Sequence, residues 1–254
     1  MPDLFDTVWE IKMNIIYKPE KVHRVVFKIS GEVLAGAKGF GIDIDVVNDL
    51  VDDIIAAKKL GIGIGIVLGG GNFFRGNSEI GKHLQRFTAD NVGMLATIQN
   101  ALILSELLNK RNYYTEIHSA LQIDKVAKFY TPNRAKTSLN EGKICFFCGG
   151  TGNPFFTTDT AAVLRAIELN ADIVLKGTKV DGVFSSDPVK DKNAKFIADI
   201  TYDELLSKKL KVMDMTAFSL AREYGMPIKV FNISEKGNLK EAILRKDVGT
   251  FIHK

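Results

Sequence analysis

Short, almost uninterrupted apolar runs recur along the chain, each closed by glycine or polar residues and followed by a stretch with helical periodicity. Residues 22–29 (VHRVVFKI), 63–68 (GIGIVL), 144–148 (ICFFC) and 173–175 (IVL) have the β-branched and aromatic character of buried strands. Between them, residues 45–59 set Val46, Val47, Leu50, Val51, Ile54 and Ile55 on one side of a helix, and residues 91–109 and 160–169 read as further helices. Strands that are apolar on both faces need cover on both. The order therefore predicts an α/β fold, a three-layer αβα sandwich with a mainly parallel central sheet, whose ligands bind at the carboxyl ends of the strands.

The glycine loops fall at those ends. Lys28-Ile29-Ser30-Gly31-Glu32 closes the first strand, Gly69-Gly70-Gly71-Asn72 the second and Gly149-Gly150-Thr151-Gly152 the third. Glycine lets backbone N–H groups approach an anion with no Cβ in the way, and a following helix N-terminus adds partial positive charge. Any one such cluster is satisfied by a tight turn. Three of them, together with Lys28, Arg75 and several hydroxyls, point to a polyphosphate. The chain has no G-x-x-x-x-G-K-[ST] loop and no G-x-G-x-x-G after a strand; Gly61-Ile62-Gly63-Ile64-Gly65 has the wrong spacing and precedes its strand.

Composition narrows the class. With 46% hydrophobic and 25% charged residues in 254, the chain is in the ordinary globular range, and a net charge of +4 suits an anionic small molecule. It falls short of the concentrated basic face of a nucleic-acid binder, and Lys208-Lys209-Leu210-Lys211 reads as a solvated helix face. No stretch approaches the roughly 20 apolar residues of a membrane span. The N-terminus is acidic where a signal peptide is basic, so a cytoplasmic protein is expected, with residues 1–21 as an N-terminal extension. The two cysteines, Cys145 and Cys148, have C-x-x-C spacing, but in a strand residues three apart point to opposite faces. His23, His83, His118 and His253 are scattered without ligand spacing, so structural thiols are expected rather than a metal site.

The segments K-x-S-G-E at 28–32, GGGNFFRG at 69–76, DNVGMLAT at 90–97, GGTGNPFFTTDTAA at 149–162, LKGTKVDGVFSSDP at 175–188 and KVMDMTAFSLA at 211–221 together resemble the bacterial UMP kinase (uridylate kinase) family of the amino-acid-kinase fold. The resemblance covers about residues 22–252, in the family's order. It implies one domain over residues 22–254, with the UMP site in the N-terminal half and the ATP site in the C-terminal half. It further implies transfer of the γ-phosphoryl of ATP to UMP with magnesium carried by the nucleotide phosphates and no side-chain metal ligand. A cytoplasmic homohexamer, inhibited by UTP and often activated by GTP, is also implied.

Residue by residue, the family pattern places Lys28, Ile29, Ser30, Gly31, Gly71, Arg75, Thr178, Phe184 and Asp187 at ATP. Gly70, Asp90, Thr151, Gly152, Asn153, Pro154, Phe155, Phe156, Thr157 and Thr158 fall at UMP, with Asp90 on the ribose hydroxyls. Lys28, Asp159 and Asp214 are the expected catalytic group, with Asp159 orienting the lysine and Asp214 near the phosphates. The residues suit the chemistry, since phosphoryl transfer needs positioning and charge neutralisation more than a nucleophile triad. Arginine at position 75 presents a fork to phosphate. Backbone groups near Gly152 and Asn153, with the hydroxyl of Thr157 or Thr158, could read a base edge between Phe155 and Phe156. Local readings stand beside these: Thr158 as a helix cap with Asp159 in the first turn, Asp90 as the cap of an apolar helix, Asp214 as a surface helix start, and Asp181-Gly182 as a hairpin turn between 179–180 and 183–184.

Gly36, Ala37, Lys38, Gly39, Phe40 and Gly41 resemble the segment linked to GTP activation, whereas residues 118–139 depart most from the family pattern. Two other functions are weighed. A kinase of the same fold acting on a carboxylate or carbamate would lack the TGNPFFTT segment, and a non-catalytic nucleotide sensor would be expected to lose Lys28, Asp159 or Asp214; all are present.

Overall fold

The computed structural model describes residues 22–254 apart from 77, 187, 189 and 246; the N-terminal extension expected at 1–21 lies outside the described residues. Eleven strands are described: β1 (Arg24–Ile29), β2 (Gly63–Leu68), β3 (Thr115–Ser119), β4 (Lys128–Phe129), β5 (Ile144–Cys148), β6 (Ile173–Thr178), β7 (Val183–Phe184), β8 (Phe196–Ile197), β9 (Asp199–Thr201), β10 (Ile228–Asn232) and β11 (Thr250–His253). Nine of them form one sheet in the order β4-β3-β5-β2-β1-β6-β10-β11-β9. From β4 to β10 every pairing is parallel; β11 runs antiparallel to β10, and β9 follows β11.

Strand periodicity divides the core in two. Val25, Phe27 and Ile29 of β1 point into a layer made with helices 44–58, 86–109 and 238–244. Val26 points into the opposite layer, with helices 132–140, 158–168 and 215–223. The αβα sandwich expected from the sequence is the fold observed. The cysteines behave as the pleat requires: Cys148 packs in the first layer, Cys145 in the second, both buried and unpaired. Burial pushes both thiols up to about 12, so they are inert.

Local expectations are corrected in two places. The apolar helix begins at Arg86, with Gln85 at its N-cap, so Asp90 sits inside the helix and does not cap it. This helix, Arg86–Asn109, is long and apolar enough to meet the criterion for a membrane span that no stretch was expected to meet. Half of the relevant window is buried inside the protein, as in a core helix. The second correction concerns Asp181-Gly182. Residues 179–180 form no strand, and β7 pairs antiparallel with β8 instead. The reason is tertiary: the Val183 N–H donates to Thr250 Oγ1 at 2.7 Å, and a Cβ on Gly182 would lie 2.4 Å from that oxygen, so the turn is packed against β11.

Candidate active site

The strand order makes β5, β2, β1 and β6 neighbours, so the three glycine loops leave adjacent strand ends and share one mouth. With neighbouring strands about 4.8 Å apart, the four span about 14 Å. The first two loops touch backbone to backbone. A Cβ on Gly31 would lie 2.6 Å from the Gly71 nitrogen, and one on Gly69 2.7 Å from the Gly31 nitrogen, so no other residue fits there. Ile29 serves this join: its side chain is in the core and its carbonyl accepts the Gly69 N–H at 2.8 Å. Gly70 packs on helix 86–109, where a Cβ would meet the Gly93 carbonyl at 2.6 Å. The third loop is tied to the same helix, its Gly149 N–H donating to Thr97 Oγ1 at 2.8 Å.

Side chains extend the bracing. Arg75 donates through Nε to the Gly71 carbonyl at 3.0 Å and pairs with Glu32 at 3.1 Å, joining the loop after β2 to the one after β1. Buried Asn72 and Asn100 form a reciprocal amide pair; Asn100 also donates to the Gly69 carbonyl and Asn72 to the Gly41 carbonyl. Through Asn72, whose own carbonyl accepts the Gly41 N–H at 2.9 Å, segment 36–41 is fastened to the second loop. Phe40 of that segment is exposed and Lys38 pairs with Asp43 at 3.6 Å.

At the floor of the mouth lies a charge cluster. Lys28 of β1 and Lys176 of β6 are register partners, with Lys28 on the face of Val26 and Lys176 on that of Val174, toward helix 158–168. Asp159, in the first turn of that helix, takes one lysine on each oxygen: Lys28 Nζ lies 2.9 Å from Oδ1, and Lys176 Nζ pairs with Oδ2. All three side chains are nearly buried. Burial alone would raise the Asp159 carboxyl, but the two ammonium groups outweigh it and hold the group below its ordinary value. Burial pushes Lys176 down against the opposing pull of Asp159. Two cations share the Asp159 carboxylate, with the Asp214 carboxylate also acting on Lys176, so two ammonium groups stand together under the glycine loops, where a transferring phosphoryl group needs neutralisation.

Asp214 closes the far side. It is the N-cap of helix 215–223, accepting from the Thr216 and Ala217 N–H groups at 2.9 and 3.0 Å, so the helix-start reading holds. It also accepts from the hydroxyls of Thr157 and Thr160. The cap of helix 158–168 is Thr157, not Thr158, because the Thr157 hydroxyl accepts from the N–H groups of Asp159 and Thr160. With its proton on Asp214 and its oxygen on two N–H groups, the Thr157 hydroxyl is committed within the protein. Thr158 is the neighbouring hydroxyl with no such commitment in the helix cap.

The expected acceptor residues gather on the β5 side. Asp90 accepts the Phe155 N–H at 2.8 Å and takes Arg86 Nε on both oxygens at 2.9 Å. Phe155 has φ of 74°, a left-handed conformation rare for an aromatic residue, and Asp90 anchors it there. Phe155 and Phe156 stand exposed at the rim, as does Asn153, while Pro154, Gly152 and Thr151 are half-buried; the Thr151 hydroxyl bonds within the loop to Asn153. Of the expected donor residues, most sit on β1 and the loops after β1 and β2, and Thr178 and Phe184 lie on the β6 side. Thr178 ends β6 with its hydroxyl on the carbonyls of Val180 and Phe231, and Phe184 meets Phe196 edge-on at 5.6 Å. Ser30, at the N-cap of helix 31–34, makes no side-chain cap bond. Asp187 lies outside the described residues.

Two members of this arrangement were not singled out in the sequence. Lys176 carried a signal, a lysine near the carboxyl end of an otherwise apolar strand, as in β1. Thr160 carried none beyond its place in a helix start.

Comparison with known proteins identifies the family of this fold. A profile of the amino acid kinase family matches residues 23–232. A UMP kinase from Bacillus anthracis is 38% identical, with a TM-score of 0.88 over 91% of this chain and 96% of its own. A UMP kinase from Ureaplasma parvum is also 38% identical, with a TM-score of 0.87 over 92% and 100%. A uridylate kinase from Archaeoglobus fulgidus, 23% identical with a TM-score of 0.69 over 90% and 99%, shares the fold. The profile spans every strand that lines the mouth, and the chain belongs to the amino acid kinase family.

Proposed function

We propose that this chain is a UMP kinase that transfers the γ-phosphoryl group of ATP to UMP in pyrimidine nucleotide biosynthesis. The bond from the γ-phosphorus to the ADP oxygen breaks, a bond to a UMP phosphate oxygen forms, and ADP and UDP leave. The observation that carries this reading is the Lys28–Asp159–Lys176 cluster at the floor of the three-glycine mouth. The likeness to two UMP kinases supports it. Lys28, between the donor and acceptor sides, would contact the transferring group, with Lys176 beside it. Asp159 and Asp214 act through these lysines and the helix starts, and so are positioning residues. ATP would lie over β6 and β10 against Ser30, Gly31, Gly71, Arg75, Thr178 and Phe184. UMP would lie over β5 and β2, its ribose on Asp90 and its base against the 151–158 segment.

Magnesium fits this site as a passenger of the nucleotide. Both oxygens of Asp159 are paired to lysines, and those of Asp214 to N–H and hydroxyl donors, so the ion would be held by phosphate oxygens, where it neutralises their charge. A cytoplasmic homohexamer is the assembly proposed, supported by exposed Phe87, Leu95 and Leu102 along helix 86–109. UTP inhibition and GTP activation through residues 36–41 belong to the same reading, supported for the latter by the Gly41–Asn72 tie to the second loop.

The test is a coupled assay of purified protein with ATP, magnesium and each of UMP, CMP, AMP and glutamate. UDP formation from UMP is expected, and phosphorylation of glutamate with none of UMP defeats the proposal.

A further inference from the structure

Four protein donors converge on the carboxylate of Asp214, and that number matters. A carboxylate offers about four acceptor positions. Here they are met by the N–H groups of Thr216 and Ala217, by the Thr157 hydroxyl, and by the Thr160 hydroxyl, which reaches both oxygens at 3.1 and 3.2 Å. Asp214 therefore has little capacity left for a proton, a metal ion or a phosphate hydroxyl. Its influence has to travel through what it holds.

What it holds is a closed ring. The Lys176 ammonium pairs with Asp159 and donates to the Val212 carbonyl at 2.6 Å. Val212 is two residues before Asp214. Asp214 in turn accepts from Thr160, and Thr160 follows Asp159 in the first turn of helix 158–168. The circuit runs Lys176, Asp159, Thr160, Asp214, Val212 and back to Lys176. It joins the starts of two helices to the end of β6. Thr157 makes a parallel link, but its oxygen also caps its own helix, so it is spread over three partners. Thr160 is 4% exposed, and its hydroxyl proton is given to Asp214.

We propose that Thr160 is a positioning residue for phosphoryl transfer: its hydroxyl, bonded to both oxygens of Asp214, fixes the helix turn that holds Asp159 between Lys28 and Lys176. The inference rests on the kinase reading above. Nothing in it requires Thr160 to touch a nucleotide. Loss of the hydroxyl with the same shape would let the Asp159 turn and the 212–214 turn move apart, changing the aim of both ammonium groups while leaving the acceptor pocket alone. The effect belongs in turnover and not in UMP affinity.

The experiment compares Thr160→Val, which keeps the shape, with Thr160→Ser, which keeps the hydroxyl. Losing one hydrogen bond to a charged group predicts about a tenfold or larger drop in kcat for the valine variant, with KM for UMP within about threefold. Thr160→Ser should recover most of kcat. The double variant Thr160→Val with Asp214→Asn should be no slower than Asp214→Asn alone, since both open the same ring. Turnover of Thr160→Val within about twofold of the parent overturns the inference, as does a serine variant as slow as the valine one, or single effects that simply multiply in the double variant. A parent chain that phosphorylates no nucleotide defeats the kinase reading and this inference with it. An active parent with an indifferent Thr160→Val defeats this inference alone.

Discussion

A carboxylate flanked by two lysines occurs twice on the same sheet, and the two clusters have opposite designs. At the mouth, Asp159 lies between Lys28 and Lys176, whose side chains are only 11% and 13% exposed. At the sheet edge, Glu116 of β3 takes Lys128 at 2.6 Å and Lys143 at 3.3 Å, whose side chains are 59% and 30% exposed. The edge lysines leave their stems on the protein and keep their charge near water, so little desolvation is incurred. The central lysines are taken out of water, where the cost of burying charge is high, and they share Asp159, with Asp214 acting on Lys176 from behind. A fold that needed only stability would not choose the second design. Two buried ammonium groups side by side beneath three glycine loops are intelligible as preparation for an anion.

The edge cluster also shows how a charge set becomes purely structural. Burial alone would raise the Glu116 carboxyl, but hydrogen bonds from Lys128, Ser138 and Lys143 hold it at about 2. His118, fully buried and 3.4 Å from Glu116, is pushed down by burial to about 4. Neither of its ring nitrogens has a hydrogen-bond partner among the described residues. It packs instead against Tyr130 and Phe147.

The sharpest way to break this contrast is to remove one lysine from each cluster. Lys28→Ala is expected to cut turnover by about a hundredfold or more while leaving UMP binding largely intact, because the contact proposed for it would strengthen as the phosphoryl group moves. Lys128→Ala should leave turnover within about twofold. Equal losses in steady-state kcat would erase the distinction between the two sites.

Acid stability gives the next largest effect, and it belongs to the edge. The unfolded imidazole takes a proton below about pH 6.5, the folded one only near 4, so between these values the unfolded chain binds more protons and stability falls as pH falls. The loss from His118 amounts to at most about 3 kcal/mol. Glu116 extends the decline: its contribution, present above about 4.5, is lost as pH drops toward 2. Denaturant melts from pH 7 to 4 should therefore flatten in His118→Phe; an unchanged slope would show that the buried imidazole does not titrate as its surroundings require.

The smallest effect is expected from Glu116→Gln at neutral pH. Its lysines can turn to solvent, so the loss should be about 1 kcal/mol in unfolding free energy with kcat unaffected. A loss several times larger would mean that the edge cluster is as tightly bound into the fold as the central one.

Much of the site was legible in the chain. Lys28 and the three loops could be found because each stands at or just past the end of an apolar run, where a parallel sheet opens its ligand-binding edge. The thiols could be set aside because the pleat alone sends Cys145 and Cys148 apart. The errors share one cause. Thr158 was as good a cap as Thr157, and Asp90 as good a helix start as Gln85, until neighbouring elements chose: Asp214 engages Thr157, and the Phe155 N–H finds Asp90 one turn inside the helix. Asp181-Gly182 had the composition of a hairpin, and Thr250 redirected it.

From the amino-acid order alone came the element types, the two-sided burial of the strands, the glycine loops at their carboxyl ends and one of the two central lysines. Those properties depend on periodicity and on residues within a few positions of one another. Tertiary structure alone decided that Lys176 stands beside Lys28, that Asp159 reaches both, and that the Thr160 hydroxyl ends on Asp214. Such pairings are set by strand order and register between segments far apart in the chain, which local propensity leaves open and close packing determines.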